Sequence, residues 1–253
     1  MQLNFQTHGG GFPLLILHGL FGSLDNWQPV ARRLGESFQV FTLDLRNHGR
    51  SPHSDDFNYT VMTEDLREFM QTHHLSRAHV LGHSLGGKAA MHFALNFPEH
   101  VEKLVIVDMA PRAYAPAHLP LFEAMFSLEL KPFSTRQALD HALAPAVPDI
   151  VVRQFLLKNV VRDETGAFRW KLNLPALYQN YSRLNEAIAS PRAFPGPTLF
   201  IKGGRSNYVM PSDEAEIRRL FPDAQFATIQ NAGHWVHADA PEEFFQKISA
   251  FIM

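Results

Sequence analysis

The chain has 253 residues, 45% of them hydrophobic, with a formal charge of −2 and no cysteine. This length is near the upper size for a single hydrophobic core. The missing cysteines exclude disulfides, thiolate metal sites and a cysteine nucleophile, and without a run of Lys and Arg a nucleic-acid partner is not expected.

Residues Met1 to Thr7 alternate like a strand and carry neither the basic start nor the apolar centre of a secretory signal. A cytoplasmic location without stable membrane association is the default expectation. Gln2 to Thr7 and Pro13 to Leu17 read as an opening hairpin across Gly9-Gly10-Gly11. The second run ends in His18-Gly19-Leu20-Phe21-Gly22, a glycine-flanked loop suited to presenting a backbone N–H at Leu20. Next, Gln39 to Leu43 reads as a strand ending in Asp44. The following Leu45 to Ser51 reads as a structural loop whose N–H groups Asp44 would bind. Met62, Leu66, Phe69 and Met70 mark one face of a helix over Tyr59 to Thr72.

The run Ala78 to Leu81 leads into Gly82-His83-Ser84-Leu85-Gly86-Gly87-Lys88, a G-x-S-x-G turn between strand and helix that reads as a nucleophile elbow with Ser84 at its tip. Glycine is expected at Gly82 and Gly86 because the sharp turn leaves no room for a Cβ. The N–H groups of Leu20 and Leu85 would form an oxyanion hole. The same residues satisfy G-x-x-x-x-G-K, and Leu104 to Asp108 resembles a strand ending in a magnesium-binding Asp. A phosphate loop, however, needs a hydroxyl where this chain has Ala89.

The strand Lys103 to Asp108 places a carboxylate next to the elbow. From Arg112 to about Pro191 no central strand is evident. Helical stretches over Leu119 to Leu128, Thr135 to Leu143, Asp149 to Val161 and Pro175 to Ile188 are divided by prolines and by an Asp163-Glu164-Thr165-Gly166 turn. This reads as a helical cap over residues 112–191, inserted between core segments 1–111 and 192–253 and lying above the strand C-termini, where ligands bind in open α/β sheets. Phe122, Met125, Phe126, Phe155, Leu156, Trp170 and Tyr178 are its candidate pocket residues, with Phe21 and Trp235 from the core.

Strands over Thr198 to Lys202 and Gln225 to Ile229 follow, then the loop Asn231-Ala232-Gly233-His234-Trp235. The last helix starts at Pro241 and buries Phe244, Ile248, Phe251 and Ile252. The order Ser84, acid, His234 is the one this fold uses. For the acid, Asp108 is favoured. Asp44 precedes the nucleophile, and Asp213 stands at a helix start, where carboxylates serve N–H groups. Among fourteen histidines, His234 and His237 have ligand-like spacing, but no carboxylate set completes a site, and His73-His74 falls at a helix end. No metal and no cofactor are expected.

Four runs carry a resemblance: His18 to Trp27, Asp44 to Ser51, Gly82 to Lys88 and Ala232 to His237. Together with Phe155 to Asn159 and Trp170 to Asn173 in the cap, they are similar to α/β-hydrolases of the YbfF esterase type over nearly the whole chain. The resemblance implies a mostly parallel sheet with helices on both faces. It also implies a serine hydrolase for short- to medium-chain acyl esters, with acyl-CoA thioesters as a further class. In that group the acid follows the sixth strand of the family's sheet, which fits Asp108. A serine after the seventh joins the hydrogen-bond network, which fits Ser206. A C–C bond hydrolase and a non-catalytic ligand receptor on the same fold are the alternatives.

Overall fold

The computed structural model describes residues 1–253. The first strand, β1 (Phe5–His8), is half-exposed, whereas β2 (Phe12–Leu17) buries side chains on both faces. This difference overturns the expected hairpin. A strand apolar on both faces belongs inside a parallel sheet covered by helices on both sides, and β2 lies between β3 (Phe38–Leu43) and β4 (Ala78–His83), parallel to each. β1 instead pairs antiparallel with β3, Phe5 opposite Leu43, and closes the sheet edge.

Helices α1 (Gln28–Leu34), α2 (Tyr59–Thr72) and α3 (Leu85–Asn96) connect these strands, and β5 (Val101–Val107) follows. Asn58 caps α2 by accepting from the Val61 N–H at 3.1 Å. Between β5 and the next sheet strand come α4 (Leu119–Ser127), α5 (Arg136–Leu143), α6 (Ile150–Leu157), the short strands β6 (Val160–Arg162) and β7 (Phe168–Trp170), α7 (Leu174–Gln179) and α8 (Tyr181–Asn185). The chain then returns through β8 (Thr198–Gly203), α9 (Glu214–Leu220), β9 (Ala224–Ile229), α10 (Val236–Asp239) and α11 (Pro241–Ile252). The sheet order is β1-β3-β2-β4-β5-β8-β9, and every pair except β1 with β3 is parallel.

Side chains alternate between two cores, as the period of two requires. Leu15, Leu17, Leu104 and Ile106 pack with α2, α3 and α9, whereas Leu14, Ile16, Val105 and Val107 pack with α1 and α11.

Residues 112–191 differ from the expected all-helical cap in two ways. β6 and β7 form an antiparallel hairpin, Val160 opposite Trp170. Its turn is held by Asp163 Oδ1, which accepts from the Thr165 N–H at 2.9 Å and the Ala167 N–H at 3.1 Å, with Gly166 at φ 83°. Strands of three residues are too short to show an alternation. The expected helix over Pro175 to Ile188 also breaks at Asn180, whose side-chain amide donates to the Ala176 and Asp55 carbonyls, each at 2.9 Å, and so competes with the helical ladder.

Candidate active site

At the end of β4 the chain turns so tightly into α3 that a Cβ on Gly82 would collide with the Gly86 carbonyl, and one on Gly86 with the carbonyls of Leu17 and His18. Ser84 takes the bend at φ 53° and ψ −118°, a conformation costly for any residue with a Cβ. It is held by its N–H to the Val107 carbonyl at 3.2 Å and by its carbonyl, which accepts from the Lys88 N–H at 3.1 Å. Leu85 is the first residue of α3, so its N–H has no acceptor within the helix.

The loop after β2 is built to the same tolerance. A Cβ on Gly19 would stand 3.1 Å from the Ser84 Cβ. His18 fixes this loop. Its Nε2 accepts from the Leu45 N–H at 3.0 Å, so its Nδ1 carries the proton and donates to the Gly19 carbonyl at 2.8 Å. Burial, which lowers its pKa to about 4, keeps the ring neutral. Phe21 adopts φ 59°, and its carbonyl accepts from the buried Asn159 amide at 2.7 Å. The Leu20 N–H has no hydrogen-bond acceptor in the protein and so remains available.

Asp108 lies just past β5, fully buried, at φ 49°. Its Oδ2 accepts from His234 Nδ1 at 2.7 Å and from the Ser206 hydroxyl, while Oδ1 accepts from the Gly203 N–H at 3.1 Å. The other carboxylates are engaged elsewhere. Asp44 accepts from the Leu24 and Arg50 N–H groups and the Asn4 amide, and Asp213 accepts from the Met210 N–H at 2.8 Å and pairs with Arg112 at 3.1 Å.

Two neighbours of His234 have no signature in the sequence. Tyr208 stacks on its ring at 3.9 Å and 18°, and His83 Nε2 donates to its carbonyl at 2.9 Å. Both merely lie close to motif residues, two after Ser206 and one before Ser84, which says nothing of a contact with His234. His237, the other half of the ligand-like pair, is instead half-buried and stacked flat against Trp27 at 4.2 Å.

Ser84 and His234 open into a cavity of about 580 Å³ lined by Phe21, Leu121, Ile150, Val152, Phe155 and Trp235, among others. Of the cap residues expected at the pocket, only Phe155 lines it. Phe122 stands one layer behind, its ring edge-on to Phe21 at 4.8 Å. Trp170 is drawn into the cap, where its indole N–H donates to the Met125 carbonyl at 3.2 Å. A second cavity of about 290 Å³ meets the first at Ser84 and runs past Leu85, Met109 and Tyr181 to Lys88. Lys88 is not a phosphate-loop lysine. It is buried and donates to the carbonyls of Glu186 at 2.5 Å and Asn185 at 3.4 Å, and burial lowers its pKa to about 7.

No helix of the chain is long and apolar enough to cross a membrane. Residues 13–150 match the family model of the alpha/beta hydrolase fold. The chain is 42% identical to the sn-1-specific diacylglycerol lipase ABHD11 of Mus musculus over 94% of its own length and 80% of that protein. It is 34% identical to esterase YbfF of Escherichia coli, covering 100% of this chain and 99% of that one. A solved structure of a marine microorganism esterase superposes with a TM-score of 0.97 at 40% identity, over 99% of both chains. The chain belongs to the α/β-hydrolase family, among its esterase and lipase enzymes.

Proposed function

We propose that the protein is a serine carboxylic ester hydrolase for short- to medium-chain acyl esters, extending to acyl-CoA thioesters, that works through an acyl-enzyme. The observation that carries this reading is the placement of Ser84 on a strained elbow in one cavity with His234, behind which Asp108 stands at 2.7 Å.

In this mechanism Ser84 Oγ attacks the acyl carbonyl and His234 takes its proton. The His234 Nδ1–H to Asp108 bond fixes the tautomer that leaves Nε2 free as base and stabilises the imidazolium that forms. The carbonyl oxygen, now negative, is met by the N–H groups of Leu20 and Leu85, which need no reorganisation to receive it. His234 then protonates the leaving alcohol or thiol. Water repeats the cycle on the acyl-enzyme and releases the acid. Ser206 is a positioning residue, tying Asp108 to the turn after β8. Phe21, Phe155 and Trp235 supply apolar contact along the larger cavity, and the two cavities let the two halves of an ester extend to opposite sides of Ser84.

The test is a hydrolysis screen over p-nitrophenyl esters and acyl thioesters of increasing chain length. Turnover of p-nitrophenyl butyrate at enzyme-like rates supports the reading. Binding without turnover across the series would replace it with a ligand receptor.

A further inference from the structure

The chain has no run of basic residues, yet the fold assembles one. Arg50 from the loop after β3, Arg136 at the start of α5, Lys158 at the end of α6, Arg162 from β6, and Arg169 and Lys171 at β7 line one groove of about 860 Å³. Arg50 belongs to the core side of the groove, with residues 4–6, 24–25, Asp44, Gly49, Ser51 and His53, and the other five cations belong to residues 112–191. Two carboxylates share the lining, Asp44, which accepts from the three donors already described, and the mostly exposed Asp25, which pairs with Lys171 at 3.6 Å; against six cations they leave a net charge of +4. Arg50 and Lys158 make no side-chain hydrogen bond or ion pair. On a chain of net charge −2, a net charge of +4 around one cleft is a concentrated positive field.

The groove also adjoins the site. Lys158 lines both the groove and the Ser84 cavity, and the loop from Gly22 to Asn26 separates the two, with Gly22 and Asn26 facing the cavity and Leu24 and Asp25 facing the groove. Arg136 and Arg162 each donate twice to backbone carbonyls and Lys171 pairs with Asp25, whereas the Arg50 and Arg169 guanidiniums and the Lys158 ammonium keep most of their donors free, a set that suits oxyanions with several acceptor oxygens. The lining contains a single aromatic residue, Phe5, which gives no stacking platform for a nucleic-acid strand.

We propose that this groove binds a compact multiply phosphorylated group, bridging the core and residues 112–191 beside the catalytic cavity. The phosphates come from one of two sources, the leaving group of a substrate whose acyl bond lies at Ser84 or a free polyphosphate ligand. The first source rests on the ester and thioester reading above, whereas phosphate binding itself does not.

The test starts with full-length Ser84→Ala protein, so that binding is read without turnover. Calorimetric titration with inorganic tripolyphosphate is compared with sulfate at matched ionic strength. Tripolyphosphate should bind far more tightly, and Arg50→Ser and Arg169→Ser should each weaken it about tenfold, the order expected for one charge-assisted contact. Both side chains are exposed, so folding is not at stake. In protein with Ser84 intact, butyryl-coenzyme A is then compared with butyryl-pantetheine, which lacks the phosphates. If the phosphates belong to the substrate, the two Arg variants lower kcat/KM for the first alone. If they belong to a free ligand, tripolyphosphate changes p-nitrophenyl butyrate kinetics in the parent protein and not in the variants. Tripolyphosphate binding no tighter than sulfate, or unchanged in both variants, overturns the proposal. Loss of all ester turnover with phosphate binding intact would count against the catalytic reading alone.

Discussion

Asp108 and His234, 126 positions apart in the chain, meet through a 2.7 Å hydrogen bond from imidazole Nδ1 to carboxylate Oδ2. The carboxylate is fully buried and accepts two further bonds, from the Gly203 N–H and the Ser206 hydroxyl. Asp108→Asn keeps the shape but presents an amide that favours the wrong imidazole tautomer. Its kcat on short esters should fall by roughly 10³ to 10⁴. Asp213→Asn should leave kcat within about threefold of wild type, because its partners are the Met210 N–H and Arg112. Steady-state kinetics with thermal melts of both variants would decide the assignment, and an inactive Asp213→Asn beside an active Asp108→Asn would reverse it.

Ser206 donates to the same Asp108 oxygen that His234 uses, and its Oγ accepts from the Tyr208 N–H at 3.2 Å. Removing this hydroxyl leaves the carboxylate charged and His234 paired, so Ser206→Ala should cost about 10-fold to 100-fold in kcat. The positioning role is separated from a purely structural one by the pH profile of kcat/KM, which should move in Ser206→Ala while Tm changes little. An unshifted profile with a lowered Tm would reduce Ser206 to a turn residue.

The nucleophile test is chemical. A fluorophosphonate probe should label wild-type protein at Ser84 alone, and Ser84→Ala should lose the label together with roughly 10⁴-fold or more of kcat. Peptide mapping of the adduct checks the position, and label retained by Ser84→Ala would point to a second nucleophile.

How much of this was legible in the sequence follows from the range of the interactions involved. Ser84, its flanking glycines, the α2 stripe and the Asp44 loop are local, each written within a few residues, and the structure has these elements at those positions. The partner of β2 was not local. Three glycines after β1 suggested a hairpin, but the apolar character of both faces of β2 decides its neighbours, and β3 lies 21 residues beyond it. Tyr208 and His83 are silent in the sequence because a stacked ring and a bond to a backbone carbonyl leave no motif. Phe122 and Trp170 are large and apolar, a property that does not distinguish the wall of a pocket from the layer behind it. The basic groove is the extreme case, assembled from residues spread between positions 50 and 171.

The elbow makes a stability prediction. An alanine methyl at Gly82 would strike the Gly86 backbone, which neither side can relieve by changing a rotamer. Gly82→Ala should cost several kcal/mol, about 3 or more by analogy with other backbone clashes, and should abolish turnover by displacing Ser84. By contrast, Gly10→Ala meets open space and should change stability by less than about 1 kcal/mol. Urea unfolding of the pair would test this, and equal midpoints would contradict the close packing of the elbow.

Acid sensitivity follows from buried histidines outside the reaction. Burial holds His18 near a pKa of about 4, and His48 and His237 near about 3. In the unfolded chain each titrates near 6.5. Below that pH the unfolded state binds protons that the folded state refuses, so stability is full above about pH 6.5 and falls as pH drops toward 4. Each histidine contributes a slope of about 1.4 kcal/mol per pH unit once fully engaged, and the three together give about 4, enough to consume a typical domain's stability by about pH 4 to 5. His237→Phe isolates one of them. Its ring already stacks on Trp27 at 4.2 Å and 18°, and its Nδ1 has no hydrogen-bond partner, so a phenyl ring keeps the packing and loses only the titration. Urea unfolding at about pH 7, 6 and 5 should show the variant losing stability less steeply than wild type below pH 6, by about 1.4 kcal/mol per unit. Parallel slopes would mean that His237 takes up its proton in the folded protein as readily as in the unfolded one.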